Sequence, residues 1–286
     1  MGTVLITSPP GGPRYDGLVV QRLGLGALEV LSWEDLSALG VSAIATATGG
    51  GVSTGPYQSL NLGLHVGDDP DAVLENRRRA AAALGLELDD LVVADQVHGA
   101  GVARVGLAER GRGARTRADA LEACDAMVTA EPGVGLLLLT ADCVGVLLVD
   151  PDTPQIAVLH AGWRGAAAGV VAATVAELVA GGAAPSRLRA KFGPSVDPAI
   201  YEVGDEVLEA FSDEALGGAV ARPGPRAHLD LAQVVANQLL HVGLLAEHLE
   251  AAPCSTGPAT GFFSDRAARP CGRLGLLALL HGGATS

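Results

Sequence analysis

Lysine is almost missing from this 286-residue chain: Lys191 stands alone beside eighteen arginines. With 32 acidic residues the formal net charge is −13. A chain so acidic lacks the clustered basic surface that a phosphate backbone demands, which excludes a nucleic-acid partner. Hydrophobic runs of spanning length are also lacking. The stretch from Val134 to Val149 comes closest, and Asp142 interrupts it. Met1–Thr7 has neither a basic leader nor a long apolar core, so no signal peptide is expected. The four cysteines, Cys124, Cys143, Cys254 and Cys271, show no tight pairing and are too few to staple a chain of this size. A reduced, cytoplasmic protein without membrane association is the expectation.

What is present is globular. Hydrophobic residues make up 49% and charged residues 18%, enough for one large domain or two small ones. Residues 1–40, opening on Pro9-Pro10-Gly11-Gly12-Pro13, read as an N-terminal extension or peripheral element, and 41–286 as a single domain. Strands are expected at Val41–Ala47, Leu91–Ala94, Val102–Val105, Asp125–Thr129, Val134–Thr140, Val144–Asp150 and Gln155–His160. A last strand pair is placed between Cys254 and Leu279. Asp69-Pro70 reads as N-cap and first residue of a helix ending near Gly85. Further helices are expected over Ala161–Val179, Val203–Phe211 and Leu229–Val242. Ala108–Asp119, charged and without apolar period, reads as a mobile loop. Arg77-Arg78-Arg79 reads as a solvated helix face. Strands and helices interleave throughout, which predicts an α+β fold with mixed sheets.

Three short runs carry the candidate chemistry: Asp95-Gln96-Val97-His98-Gly99, Thr140-Ala141-Asp142-Cys143 and His160-Ala161-Gly162-Trp163-Arg164-Gly165. Two imidazoles and one thiolate form a three-ligand set that would leave one position of a tetrahedral ion open, as a catalytic metal site requires. His160 ends an apolar run and precedes a helix start, where free N–H groups favour an anion. Gly162 and Gly165 permit close approach, and Arg164 offers a bidentate clamp. The separations of 45 and 17 residues match no metal-finger pattern. On spacing alone His65 competes as the third ligand, His160 is equally a satisfied core histidine, and Cys143 is equally a buried apolar residue or a nucleophile. His228, His241, His248 and His281 read as helix-surface or chain-end residues.

From about residue 41 onward the chain resembles the YfiH-type laccase-domain family, also called bacterial polyphenol oxidases. The matching blocks are Gly50-Gly51-Val52-Ser53, Tyr57 to Gly63, His65 to Asp69, Glu75-Asn76-Arg77, Gln96 to Gly99, Thr140 to Cys143, His160 to Gly165, Tyr201 to Gly204 and Phe262-Phe263-Ser264. The resemblance implies a four-layer α/β/β/α sandwich with mixed sheets, and zinc bound by His98, Cys143 and His160, with Cu²⁺ a candidate for the same ligands in vitro. Catalytic roles are expected for Cys143, His160, His98 and Asp142. Substrate contacts are expected from Arg164, Ser53, Asn61, Gly162, Ser264 and Arg266. The chain departs from the family at Thr48, where an arginine is usual, at Val144-Gly145, where a proline commonly follows, and at Asp265, where a tyrosine is usual. Thr48 removes a candidate anion contact.

The resemblance implies a purine nucleoside phosphorylase acting on adenosine, inosine and 5′-methylthioadenosine with phosphate, with adenosine deamination beside it. Asp142 is the nearest carboxylate for a proton shuttle. Two alternatives stand with it: a Cys–His hydrolase editing misincorporated serine in peptidoglycan precursors, and a metal-binding module without catalysis. A multicopper oxidase is excluded as the main activity. Seven histidines, no two within two residues of each other, cannot assemble its His-rich clusters. The expected partners are therefore a small nucleoside and phosphate, with the protein a monomer or homodimer.

Overall fold

The computed structural model describes residues 4–5, 18–23, 28–252 and 254–282. The Pro- and Gly-rich start lies outside the described residues. Seven strands form one sheet, in the order Val4–Leu5 (β1), Leu18–Leu23 (β2), Leu28–Trp33 (β3), Val41–Thr46 (β4), Leu274–Leu280 (β16), Gly135–Thr140 (β8) and Leu91–Val93 (β5). A second sheet has the order Leu249–Glu250 (β15), Arg189–Phe192 (β11), Val144–Asp150 (β9), Gln155–Ala161 (β10), Ala126–Thr129 (β7) and Val102–Arg104 (β6). Both are mixed: β5 pairs β8 in parallel and β6 pairs β7 in parallel, while β16 pairs β4 and β8 antiparallel. A small third sheet holds Glu202–Val203 (β12), Ala227–Leu229 (β14) and Val220–Ala221 (β13).

The Leu-rich strands show why the sheets lie face to face. In β8 the alternate residues Leu136 and Leu138 join Leu276, Leu147, Val149 and Val158 in a cluster between the two sheets. Their neighbours Leu137 and Leu139 turn outward and pack with Ala80 and Ala81 of helix α1, Pro70–Ala82. On the far face of the second sheet, Val146, Leu148 and Leu159 meet Val171 and Val175 of α3, Val170–Ala180, and Val234 of α6, Leu231–His241. A strand covered on both faces shows a continuous apolar run rather than alternation. The three clusters fit the α/β/β/α order that the resemblance implies. Within the segment expected as an extension, β3 pairs β4, and Leu28, Val30, Leu31 and Trp33 are buried.

Helix α1 starts as expected: the Asp69 side chain accepts the Asp71 N–H and Pro70 takes the first position. The helix expected over Ala161–Val179 is corrected. Ala161 closes β10, a five-residue helix α2 covers Trp163–Ala167, and Gly169 at φ +90° breaks the run before α3. Interior glycine hides such a break because it also fits a helix at modest cost. The expected Val203–Phe211 helix is corrected to a four-residue piece, Asp205–Leu208 (α4), and a second short helix, Asp213–Leu216 (α5), follows beyond the expected range. The expected C-terminal strand pair is one strand, β16; before it only isolated bridges occur, Thr256 with Val196 and Gly257 with Phe262.

Ala108–Asp119 is a loop, but one tied to the sheet edge: Gly111 N–H donates to Leu91 and Val93 N–H to the Arg112 carbonyl. Arg77 corrects the solvated reading of the arginine run. It is 2% exposed, and its guanidinium donates to the carbonyls of Leu62, Gly113 and Ala114. Arg78 and Arg79 grip Glu75 along the helix surface. His228 is not on a helix surface; it sits in β14 with its ring donating to the Pro198 carbonyl. Among the described residues no helix is long and apolar enough to cross a membrane.

Candidate active site

Three chain segments bring His98, Cys143 and His160 together, with their ligand atoms all within 4.8 Å of one another. Cys143 ends the three-residue crossing from β8 in one sheet to β9 in the other. His160 is the penultimate residue of β10 and pairs with Gly145 in register. His98 follows β5 in a left-handed conformation, φ +58°, which is uncommon for a non-glycine residue. His65 is not in this group.

One buried carboxylate organises both histidines. Asp125, fully buried at the head of β7, accepts the N–H groups of Val97, His98 and Gly99 at 3.2, 2.9 and 2.7 Å. It also accepts His160 Nδ1 at 2.9 Å. That bond fixes the imidazole tautomer and turns Nε2 to the site. The Asp125 backbone carbonyl receives the His160 N–H as well. Sequence reading missed Asp125. Its one local signal is an acid placed directly before an apolar strand.

Cys143 Sγ lies 3.7 Å from His98 Nε2. A tetrahedral zinc with bonds of about 2.3 Å to sulfur and about 2.0–2.1 Å to nitrogen sets that separation at about 3.5 Å, so the donor pair fits. Glycine makes the fit achievable. A Cβ on Gly162 would lie 2.7 Å from the His98 ring and 3.0 Å from Cys143 Sγ. The close approach that Gly162 permits is therefore between the ligands themselves. Gly165 similarly admits the Gly99 carbonyl.

Charge balance in the metal-free site favours a thiolate on Cys143 and a proton on His160 that a bound metal would displace. Burial pushes the Cys143 thiol up, but the neighbouring His160 and His98 rings outweigh it and bring it down to about 6. Burial would lower His160, yet the Cys143 sulfur and the Asp125 carboxylate raise it to about 9. Near neutral pH the pair is thus a thiolate beside an imidazolium. A thiolate is the form that binds a metal or attacks an electrophile.

The three side chains line a cavity of about 440 Å³. Arg77, Arg117, Arg164, Arg266, Arg269 and Arg273 also line it, beside the carboxylates Asp95, Asp142 and Asp265. A strongly acidic protein thus holds a surplus of guanidinium groups in one cavity. Gly162, Arg164 and Arg266, expected to contact substrate, are among its lining residues. Asp142 is present too, at φ +89°, with its oxygens accepting Thr256 Oγ1 and the Arg266 N–H. Ser53, Asn61 and Ser264 are not brought to the cavity. Each is buried: Ser53 Oγ accepts from Asn76, Asn61 bonds Gly63, Asp68 and the Arg273 N–H, and Ser264 Oγ accepts the Ala267 N–H. Gln96 splints the backbone of Leu139 in both directions. Tyr201, beneath the Arg266 guanidinium at 5.8 Å, joins the lining.

Residues 42–281 match the family model described as multi-copper polyphenol oxidoreductase laccase. The chain is 39% identical to a purine nucleoside phosphorylase of Corynebacterium glutamicum over 234 residues, 82% of this chain and 92% of that one. It is also 39% identical to a protein named adenosine deaminase from an unknown prokaryotic organism, covering 80% of this chain and 90% of that one. Among solved structures, the hypothetical protein YfiH of Bacillus licheniformis is similar, with a TM-score of 0.86 and 31% identity, covering 93% of this chain and 100% of that one.

Proposed function

Because the chain belongs to the laccase-like family described as multi-copper polyphenol oxidoreductases, we propose that it is a metal-dependent purine nucleoside phosphorylase. Adenosine, inosine and 5′-methylthioadenosine are its substrates, with inorganic phosphate. The observation that carries this is the single cavity in which His98, Cys143 and His160 converge beside a surplus of arginine. Among the described residues this is the one such ligand cluster, which supports a lone ion rather than a multicopper centre. Zinc suits the donor set of two imidazoles and a thiolate, and Cu²⁺ is the natural competitor in vitro. When bound, the ion would supply a Lewis acid at the cavity wall.

In phosphorolysis a phosphate oxygen forms a bond to the sugar C1′ while the C1′–N9 bond breaks. The electron pair passes to purine N9, which takes a proton, and the sugar leaves as its 1-phosphate. The guanidinium groups keep phosphate anionic and oriented for that attack. Asp125 holds His98 and His160 in place and keeps a proton on His160 Nδ1 by accepting its hydrogen bond. Asp142 spends both oxygens on Thr256 and Arg266, so its role is to fix the Cys143 loop and the Arg266 segment. Adenosine deamination is a second activity, favoured by the relative of that name. The free state of all four cysteines fits a reducing, cytoplasmic location. Chromatography of adenosine incubated with the protein tests the proposal. Adenine should appear only when phosphate is present. Serine released from a cell-wall precursor without any adenine would replace this function with Cys143-dependent hydrolysis.

A further inference from the structure

Helix α2 stands between two cavities. Trp163 and Arg164 at its start line the cavity of the metal-binding side chains, whereas Ala167 at its end lines a second cavity of about 250 Å³. The two linings share no residue. The apolar surface of the second cavity is Ala167, Ala172, Phe211, Ala215 and Val242. Its amide and acid groups offer acceptors. Asn237 gives its amide hydrogens to the Ala215 and Gly217 carbonyls at 2.9 and 2.8 Å. Gln238 donates to the Ala166 carbonyl at 2.9 Å, and its buried Oε1 finds no partner among the described residues. Glu214 stands exposed at the rim, with His241 Nδ1 3.5 Å away. The chain around it is acidic: residues 192–221 hold seven carboxylates and no lysine, arginine or histidine. Where the first cavity gathers six arginines, this one has none among the described residues.

We propose that this second cavity binds a small organic cation, an ammonium or amidinium carrying an apolar ring, and that α2 links its occupancy to the metal centre. The ring matches the alanine, Phe211 and Val242 surface, and the charge matches Glu214 and the acidic chain around it. An N–H of the bound cation supplies the donor that Gln238 Oε1 lacks. The link runs along a short hydrogen-bonded path. Gln238 holds the Ala166 carbonyl, and the Ala166 N–H donates to the Gly162 carbonyl at 2.9 Å. Gly162 in turn packs so closely on His98 and Cys143 that a Cβ there would lie 2.7 and 3.0 Å from them. At the other end of α2, Gly169 at φ +90° separates it from α3, so the two helices meet at a hinge. A cation wedged against Ala167 and Gly169 stops α2 turning at that hinge and keeps Gly162 against the metal-binding side chains. The site stands apart from the phosphorylase reading; only its link rests on the metal centre of that reading.

The probe is 2-phenylethylamine, a ring with an ammonium, titrated into the isotope-labelled full chain with and without zinc and followed by NMR. It should move the amide resonances of Ala167, Gly169 and Ala172 to saturation. Phenylacetate, the same ring with the opposite charge, should bind at least about tenfold more weakly. Ala172→Leu adds bulk to the cavity from an exposed helix position and should weaken the amine by about tenfold at unchanged Tm. Glu214→Gln should weaken it by about twofold to fivefold. In chelator competition, saturating amine should tighten zinc by about fivefold in the wild-type chain and leave it constant in Ala172→Leu; by reciprocity zinc should tighten the amine equally. Resonances that stay in place, phenylacetate that binds as well as the amine, or Ala172→Leu that binds it undiminished overturns the site. Amine binding with zinc affinity unmoved overturns the link. Amine bound by a chain that takes up no zinc supports the site while defeating the metal reading and, with it, the link.

Discussion

Two sets of charges line one cavity and are compensated differently. At the His98–Cys143–His160 corner every charge has a local partner: thiolate against imidazolium, imidazolium against Asp125. Among the cavity's arginines, Arg77 is buried and no carboxylate among the described residues pairs with it, while Arg117 and Arg273 each engage one acid. A compensated cluster can be preorganised in the empty protein. An uncompensated one is completed by what it binds. The corner is therefore preorganised by its own charges, and the arginine side of the cavity is not.

The corner should break hardest at Asp125. Asp125→Ala strips the acceptor from three backbone N–H groups and one imidazole, and should cost about 3–5 kcal/mol in denaturant unfolding. Asp125→Asn should fold but bind zinc about 10–100-fold more weakly, as measured by chelator competition. Unchanged zinc affinity in Asp125→Asn would mean the carboxylate does not position the ligands. The buried arginine should break less severely. Arg77→Met leaves three carbonyls short of a donor and should cost about 1–3 kcal/mol. Arg78→Met, one residue along, should leave the Tm unchanged, and an equal loss from both would erase the distinction between core and surface arginine.

The contrast between Arg77 and Arg78 also shows how far the sequence was legible. Three successive helical residues were correctly expected to point in three directions, but not that one direction led into the core. Nothing in an arginine triplet says which member meets the carbonyls of Leu62, Gly113 and Ala114, residues 15 to 37 positions away. The strands were readable because burial on both faces leaves unbroken apolar runs such as Gly135–Thr140. Helix α1 was readable because Asp69 and Pro70 mark its start. The break at Gly169 was hidden, since its positive φ leaves no trace in apolar periodicity. His98, Cys143 and His160 were visible through family resemblance, whereas Asp125 emerges only when three distant segments meet around it.

Gly162→Ala sharpens the comparison at smaller scale. The added methyl should push His98 and Cys143 apart and weaken zinc by about tenfold. A variant with normal zinc affinity would show that the corner has slack. The mildest probe changes no residue. In metal-free protein, alkylation of Cys143 should be half-maximal near the thiol value of about 6 rather than near the ordinary 9. The thiol is depressed, so the reactive thiolate dominates above about pH 6 and is lost as pH falls through it. Cys254, pushed up to about 11 by burial, should stay unreacted at neutral pH. A Cys143 profile rising only near pH 9 would remove the ion pair from the corner.

The most direct measurement is metal content by mass spectrometry of the purified chain and of Cys143→Ser and His98→Ala. The wild-type protein should carry about one zinc per chain, and each variant well under half of that after dialysis against a weak chelator. Full retention of zinc in both variants would contradict a metal centre built from His98, Cys143 and His160.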